Sequence, residues 1–181
     1  MLKKLAVAVP FLLLAFPGAS LADTYIGIGH HWGDYKNENE VKSDPTGLKL
    51  TIGKYLLPVI AIEAHFLKGI GSDAIKVSGL DNGSQMELDR AESLFLRGDL
   101  PLAERVNLYG LAGYSTGRLD AAGGGYDVTD KADGVSYGVG LEIVGQNNSY
   151  ISAEYIQYLD ESDNGVDFEY KGVNVNLGMR F

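Results

Sequence analysis

The chain has 181 residues, 24 glycines, no cysteine and a formal net charge of −9, and its length is that of one domain. The lack of cysteine excludes a disulfide scaffold and a thiol nucleophile. An acidic chain without clusters of Lys and Arg argues against binding to nucleic acid.

The first 22 residues have the pattern of a cleaved secretory signal peptide. Lys3 and Lys4 precede the apolar run Leu5–Phe16, and a small-x-small cleavage site ends at Ala22. The apolar run is too short to span a bilayer as a helix. We therefore expect cleavage after Ala22, with an uncleaved anchor as the alternative, and one domain over residues 23–181. The formal charge of −9 would then become −11, because two lysines and no acid are lost.

Alternation of apolar with polar or small residues predicts eight β-strands in the remainder of the chain. The pattern is most regular in Val135–Ile143, where Val135 and Tyr137 alternate with Ser136 and Gly138. The predicted strands cover residues 25–32, 48–54, 59–67, 88–100, 106–116, 135–143, 150–159 and 168–181.

The fourth predicted strand has the least clear phase. We expect its leucines Leu94, Leu96 and Leu100 to point outward and Phe95 to fill the interior. This choice also turns Ser93, Arg97 and Asp99 inward.

Short and long connections alternate along the chain. Short turns are predicted around Pro58, Pro101 and Asn147, where proline and asparagine favour turns. Polar or glycine-rich loops are predicted over residues 34–45, 68–87, 117–133 and 160–167. This asymmetry is typical of outer-membrane barrels, which have short periplasmic turns and longer extracellular loops.

In each predicted strand the apolar residues fall on one parity, meaning every second position. This apolar parity could face lipid, or it could line the cavity of a soluble barrel of lipocalin type. The other parity is rich in Gly, Ser, Thr and Asn, whereas a water-facing sheet carries many Lys and Glu. Aromatic residues gather near the predicted strand ends, as an interfacial girdle requires. The sequence therefore predicts an all-β fold, an eight-stranded antiparallel up-and-down transmembrane β-barrel. The predicted girdle residues are Tyr25, Trp32, Tyr35, Tyr55, Phe66, Tyr114, Tyr150, Tyr158, Phe168 and Phe181.

The last ten residues, 172–181, form an alternating strand that ends on an aromatic residue. From Asp23 to Phe181 the chain resembles small bacterial outer-membrane β-barrel proteins of the OmpA/OmpX and opacity type. The resemblance rests on Tyr25–Gly29, Ile62–Ala64, Tyr109–Gly113, Gly138–Glu142, Ala153–Tyr155 and the terminal Phe181.

This resemblance implies a place in the bacterial outer membrane, among outer-membrane lipid and lipopolysaccharide. It also implies that the barrel-assembly machinery recognises the C-terminal strand, with Phe181 as the assembly signal. The family contains structural barrels, adhesins, serum-resistance factors and a few enzymes, so the resemblance specifies architecture better than activity.

Seven charged residues fall on the inward parity. Eight strands enclose an interior just wide enough for side chains to fill, and charges in so narrow a space must pair. We therefore predict a lumen polar network, with a gated polar pathway or a catalytic carboxylate pair as the alternative. The network comprises Lys49, Glu63, Arg97, Asp99, Glu142, Glu154 and Arg180.

The three histidines show no metal-binding or catalytic pattern. His30 and His31 are adjacent and point to opposite faces of a strand, and no His-x-His or Glu-x-x-His spacing occurs. Some barrels of this size deacylate lipid A with a surface histidine and serine, but no serine stands beside His30 in its strand. We expect no catalytic, cofactor-binding or metal-binding residue, and no cofactor.

The sequence therefore favours a non-enzymatic outer-membrane protein that contributes to envelope integrity or to surface interaction through its extracellular loops. Acidic, glycine-rich loops would suit divalent cations or cationic partners. A narrow channel for small or apolar solutes is the first alternative, and a lipid A-modifying enzyme is the second.

Overall fold

The computed structural model describes residues 23–37, 41–123, 126–163 and 166–181, so the expected signal peptide lies outside the described residues. Within this part of the chain, no helix is long and apolar enough to cross a membrane. The regular elements are β1 (Thr24–Asn37), β2 (Val41–Ser43), β3 (Thr46–Leu57), β4 (Ile60–Gly71), β5 (Asp73–Val77), β6 (Leu80–Ala103), β7 (Val106–Gly123), β8 (Tyr126–Val144), β9 (Ser149–Asp163) and β10 (Val166–Arg180).

Eight of these strands close into an antiparallel barrel. The order around the barrel is β1, β3, β4, β6, β7, β8, β9 and β10, and β10 returns to β1. The closing seam runs from Tyr25 opposite Arg180 to Asn37 opposite Phe168. The predicted eight-stranded antiparallel up-and-down barrel is confirmed.

The short strands β2 and β5 continue the sheet beyond the ends of β3 and β4. β2 precedes β3 across Asp44 and Pro45, and β5 follows β4 across Ser72. β2 pairs with β1 and with β5, and β5 pairs with β6. The backbone N–H of Gly33 donates to the carbonyl of Pro45 at 2.8 Å, which keeps the interruption tied to β1.

The four predicted loops are largely wrong, because strands occupy most of their described residues. Beyond the apolar belt the alternation continues with its polarity inverted: outward residues become polar and inward residues become apolar. On β4, for example, Leu67 is buried and Lys68 is exposed. We call the described residues within 34–45, 68–91, 117–133 and 159–171 the extension. Its polar positions suggested loops, although their period remained that of a strand.

The short connections lie at the opposite end, which we call the turn end. Two of them are the turns at Pro58–Val59 and Glu104–Arg105. Pro101 does not turn the chain as predicted but lies within β6, where the register shifts between Pro101 and Ala103. Such an irregularity accommodates a proline, which has no N–H to donate to a neighbouring strand.

The strand register fixes the tilt of the barrel. A row of directly paired residues that starts at Lys131 of β8 returns to β8 at Leu141, ten residues nearer the turn end. Strands with such a stagger are inclined to the barrel axis, so each step along a row changes height by about 3 Å. The row is Lys131, Arg118, Arg90, Lys68, Leu48, His30, Val175, Ala153 and Leu141.

The apolar parity faces outward around the barrel, as predicted. On β6 the phase is also as predicted, since Leu94 and Leu96 are exposed while Ser93 and Phe95 are buried. A barrel of lipocalin type would bury these positions, so the soluble alternative does not fit. The exposed belt includes Ile26, Ile28, Leu48, Leu50, Leu94, Leu96, Leu100, Val135, Val139, Leu141, Ile143, Ile151, Val173, Val175, Leu177 and Met179.

The predicted aromatic girdle is only partly correct. Trp32, Tyr114 and Phe181 are exposed on the outer face. Tyr25, Tyr150 and Tyr158 are instead buried inside the barrel, because each has the inward parity of its strand. Tyr35 packs against a cluster of buried apolar side chains inside the barrel that includes Leu88 and Leu119, which we call the apolar cluster. Tyr55 is partly buried beside Tyr25. The side chain of Phe168 lies outside the described set.

Buried apolar side chains of the extension, such as Leu88, pack in the apolar cluster inside the barrel, which gives a direct test of its β-structure. Replacing Leu88 with Ala should lower the free energy of unfolding by about 2 kcal/mol, because it removes a buried side chain and leaves a cavity. Leu88 is 1% exposed, whereas Leu80 on the same strand is 75% exposed. Urea titration of the purified protein should therefore show a loss for Leu88→Ala and no change for Leu80→Ala. Equal midpoints for both variants would mean that Leu88 does not pack inside the extension.

Candidate functional site in the barrel lumen

The seven charged residues predicted to face inward come from six strands around the lumen. Lys49 lies on β3, Glu63 on β4, Arg97 and Asp99 on β6, Glu142 on β8, Glu154 on β9 and Arg180 on β10. Six of these side chains are at most 5% exposed, and Arg180 at the turn end is 26% exposed. The strand period places all of them on the inner face.

Arg97 is the centre of the arrangement. Its Nε donates to Asp99 Oδ1 at 2.8 Å, and its two Nη atoms lie 3.3 Å from Glu63 Oε2 and Glu142 Oε1. Its guanidinium carbon lies 3.7 Å from the centroid of the Tyr109 ring. A planar guanidinium suits this position, because its fork of donors can reach several carboxylates while its face stacks on an aromatic ring.

A second group forms around Glu63. The hydroxyl of Tyr25 donates to Glu63 Oε2 at 2.5 Å. The Nε2 atom of His65 contacts Glu63 Oε1. Because both carboxylate oxygens have partners in addition to Arg97, the charge of Glu63 is well compensated in a site that water does not reach.

A third group links β3, β7 and β9. Lys49 Nζ forms an ion pair with Glu154 Oε2, and the hydroxyl of Tyr109 donates to Glu154 Oε1 at 2.7 Å. Tyr109 therefore joins this pair to Arg97, whose guanidinium lies over its ring. The lumen charges form one connected network.

The network reaches the turn end at Arg180. This side chain pairs with Glu142 and donates from Nη2 to the hydroxyl of Tyr55 at 3.1 Å. Tyr55 in turn donates to Asp99 Oδ2 at 2.5 Å. A cavity of about 520 Å³ opens at this mouth, lined in part by Arg180, Asp99 and Asn107. The network thus lies between this mouth and the rest of the lumen.

Toward the extension the lumen becomes first hydroxyl-lined and then apolar. The hydroxyl of Ser136 donates to Ser115, and that of Ser115 donates to Ser93, each at 2.6 Å. Further along, buried Leu88 and Leu119 belong to the apolar cluster. An aqueous path along the axis would have to cross both the ion pairs and this cluster.

The family model for the outer membrane protein beta-barrel domain matches residues 5–181. This chain belongs to that family. As an outer-membrane barrel of bacteria, it crosses the membrane with its apolar belt facing lipid. No curated protein sequence gives a match.

Solved structures of small outer-membrane barrels show the same fold. Neisserial surface protein A is 15% identical with a TM-score of 0.64, and the alignment covers 91% of this chain and 100% of that one. OprG from Pseudomonas aeruginosa is 12% identical with a TM-score of 0.62, covering 88% and 96%. The attachment invasion locus protein Ail of Yersinia pestis, solved with the heparin analogue sucrose octasulfate, is 18% identical with a TM-score of 0.58, covering 86% and 97%.

Sequence reasoning missed several members of the lumen network of this outer-membrane barrel. The sequence analysis assigns Tyr25 and Tyr55 to the girdle, and it uses Tyr109 only for the family resemblance. His65 has no predicted partner, although Glu63 and His65 are two residues apart and so share one strand face. The inward parity of these residues was the available indication.

Ligand atoms of Glu63, His65 and Glu154 lie within 4.8 Å of one another, a spacing that could hold a metal ion. The sequence analysis predicts no metal site, although Glu63 and His65 are two residues apart and share one face of β4. In the structure Arg97 already pairs with Glu63, and Lys49 pairs with Glu154. The protein's own cations therefore neutralise these carboxylates.

His30 lies on the outward parity of β1 and packs against a girdle residue. Its ring centroid is 4.3 Å from that of Trp32, in an edge-on arrangement. This contact agrees with a histidine that belongs to the aromatic girdle of the outer-membrane barrel.

Glycines on the inner face allow tyrosine rings to pack against the backbone. A Cβ on Gly140 would lie 2.3 Å from the Tyr109 ring, whereas a Cβ on Gly110 would meet nothing within 4 Å. Gly140→Ala should therefore displace Tyr109 and lower the free energy of unfolding by about 1–3 kcal/mol. Urea unfolding in detergent should show this loss, with Gly110→Ala unchanged as the control. A neutral Gly140→Ala would mean that Tyr109 does not pack over Gly140.

Proposed function

We propose that this protein is a closed, non-enzymatic outer-membrane barrel that contributes to envelope integrity and presents its β-structured extension at the cell surface. One observation carries this proposal: the lumen is filled by paired charges and, above them, by apolar side chains. Each of the seven lumen charges has an opposite charge beside it. To open a path, the ion pairs would have to separate, at a cost of several kcal/mol for each buried charge left alone.

A planar-bilayer recording tests whether the barrel is closed. We expect no stable conductance steps from refolded wild-type protein whose insertion has been verified by a heat-modifiable gel shift. Reproducible steps from the inserted protein would contradict the proposal and favour the channel alternative. A swelling assay with vesicles and small apolar solutes extends the test to cargo that carries no current.

The lipid A-modifying alternative needs a separate readout. We expect the mass spectrum of lipid A to stay the same when the protein is overproduced, because a girdle contact already accounts for His30. A new lipid A species that disappears in His30→Ala would contradict the non-enzymatic proposal.

The proposed partners are outer-membrane lipid and lipopolysaccharide around the belt, and the barrel-assembly machinery at the C-terminal strand. Support for the second partner lies at the seam, where the N–H of Phe181 donates to the carbonyl of Thr24 at 2.8 Å. Its side chain is 56% exposed on the outer face, so it contributes little to the interior. Phe181→Ala should therefore reduce the amount of assembled protein in cells more than it reduces stability after refolding in vitro. Equal losses in both measurements would contradict an assembly role.

A further inference from the structure

Four cations stand in one row on the outer face of the extension. Lys68 of β4 pairs directly with Arg90 of β6, Arg90 with Arg118 of β7, and Arg118 with Lys131 of β8. All four have the outward parity. Lys68, Arg90 and Lys131 are exposed, and Arg118 is partly exposed. We call these four residues the cation row. The row is notable in a chain that carries a net charge of −9.

The cation row begins just above the apolar belt. Phe66 lies on the same face of β4 as Lys68, two residues nearer the turn end. Four residues from Arg118 and from Lys131 in that direction lie the exposed Tyr114 and Val135. Because the row descends by about 3 Å per strand from β8 to β4, it crosses the level of the outer-leaflet headgroups with Lys68 lowest.

Among the described side chains, the cations of the row are incompletely paired. Asp89 accepts a hydrogen bond from Lys68 at 2.7 Å and lies 3.7 Å from Arg118, and the bond from Lys68 holds the pKa of the Asp89 carboxyl below its usual range. Arg90 and Lys131 have no ion-pair partner among the side chains that the structure describes. One carboxylate is thus shared by two cations of the row.

Other carboxylates lie in the neighbouring rows. Glu92 and Asp133 stand one row nearer the belt, where Tyr114 bonds to Asp133. Glu87 and Asp120 stand one row farther out. Like charges directly opposite each other on adjacent strands are destabilising, so an anion placed along the row would relieve the repulsion between its members.

We propose that the cation row binds phosphate groups of lipopolysaccharide in the outer leaflet. This inference rests on the proposed contact between the barrel and lipopolysaccharide. A phosphate offers several acceptor oxygens, and guanidinium and ammonium groups on adjacent strands can share them through charge-assisted hydrogen bonds. The lipid is chosen over a soluble anion because the row adjoins the belt that faces lipid.

The test measures affinity for fluorescently labelled lipopolysaccharide in detergent micelles at low and high salt. Arg90→Gln combined with Lys131→Gln removes two cations without breaking an ion pair with a described side chain. Each cation removed should weaken binding about fivefold at low salt, and high salt should reduce the difference. Lys54→Gln combined with Arg105→Gln removes the same charge nearer the periplasmic end and should leave the affinity unchanged.

The outcomes separate this inference from the proposal on which it rests. If the wild-type protein fails to bind lipopolysaccharide, the proposed lipid partner is wrong. If the wild-type protein binds and the Arg90/Lys131 variant binds equally well, the cation row is not the site. Dephosphorylated lipopolysaccharide should bind the wild-type protein as weakly as intact lipid binds the variant; equal binding of both lipids would contradict phosphate recognition. A heat-modifiable gel shift verifies that each variant is folded.

Discussion

Arg97→Met should lower the free energy of unfolding by about 3–5 kcal/mol, because removing one partner leaves buried carboxylates without compensation. Arg97 is 2% exposed and lies beside three carboxylates, of which Glu63 and Glu142 are fully buried. Methionine keeps much of the apolar stem, so the loss reports mainly on the missing charge. Urea titration in detergent, followed by the fluorescence of the single tryptophan, Trp32, measures the change.

The matched control for Arg97 is Arg105→Met. Arg105 is exposed in the turn that follows β6, and its replacement should change the free energy of unfolding by less than about 0.5 kcal/mol. If Arg97→Met were as mild as this control, the lumen carboxylates would not depend on Arg97, and the central position given to it would be wrong.

The pair formed by Lys49 and Glu154 should behave as a unit. Lys49→Met and Glu154→Gln should each cost about 3 kcal/mol or more, because each leaves a buried charge alone. The double variant should be closer to the wild type than either single variant, because it leaves no unpaired charge. Both side chains are at most 2% exposed, so solvent cannot compensate the remaining partner.

A double-mutant cycle on urea unfolding measures this coupling. The sum of the two single losses should exceed the loss in the double variant by about 3 kcal/mol or more, at the upper end of the coupling energies of residues in direct contact. Additive losses would mean that Lys49 and Glu154 do not interact in the folded barrel.

The barrel and its inside-outside assignment could be predicted because a strand has a period of two residues. Leu94 and Arg97 illustrate this: parity alone assigns one to lipid and the other to the lumen. The weak phase of β6 was resolved correctly because its leucines recur on one parity. Parity could not show which inward residues meet across the lumen, since Lys49 and Glu154 are 105 residues apart.

The extension was missed for a physical reason. Within the membrane the solvent outside the barrel is lipid, and beyond the membrane it is water, so the outward face changes from apolar to polar along a single strand. Arg118 continues the face that carries Tyr114, and Leu119 belongs to the inner apolar core. A search for inverted alternation directly after each apolar segment would have found these strands.

The tyrosines were misplaced because amphipathic rings suit two environments. Tyrosine favours a membrane interface, where the ring meets lipid and the hydroxyl meets water. It also suits a polar lumen, where Tyr25 donates to Glu63 and packs over Gly53. A glycine directly opposite a tyrosine on the paired strand, such as Gly53 opposite Tyr25, is the feature that distinguishes a lumen tyrosine from an interfacial one.

Cysteine scanning along β8 tests the account most directly, because the chain has no native cysteine. One strand carries the extension and the membrane-spanning segment, so five single substitutions sample both. The positions are Lys131, Ala132, Asp133, Val135 and Val139. A membrane-impermeant maleimide applied to intact cells reports exposure to water, and the relaxation of attached spin labels by oxygen reports exposure to lipid.

The structure predicts that cysteines at Lys131 and Asp133 react with the maleimide, that the one at the buried Ala132 does not, and that Val135 and Val139 are shielded from it but accessible to oxygen. Equal reactivity at positions 131, 132 and 133 would contradict a β-structured extension. Ready labelling at Val135 and Val139 would contradict a barrel whose outer face meets lipid.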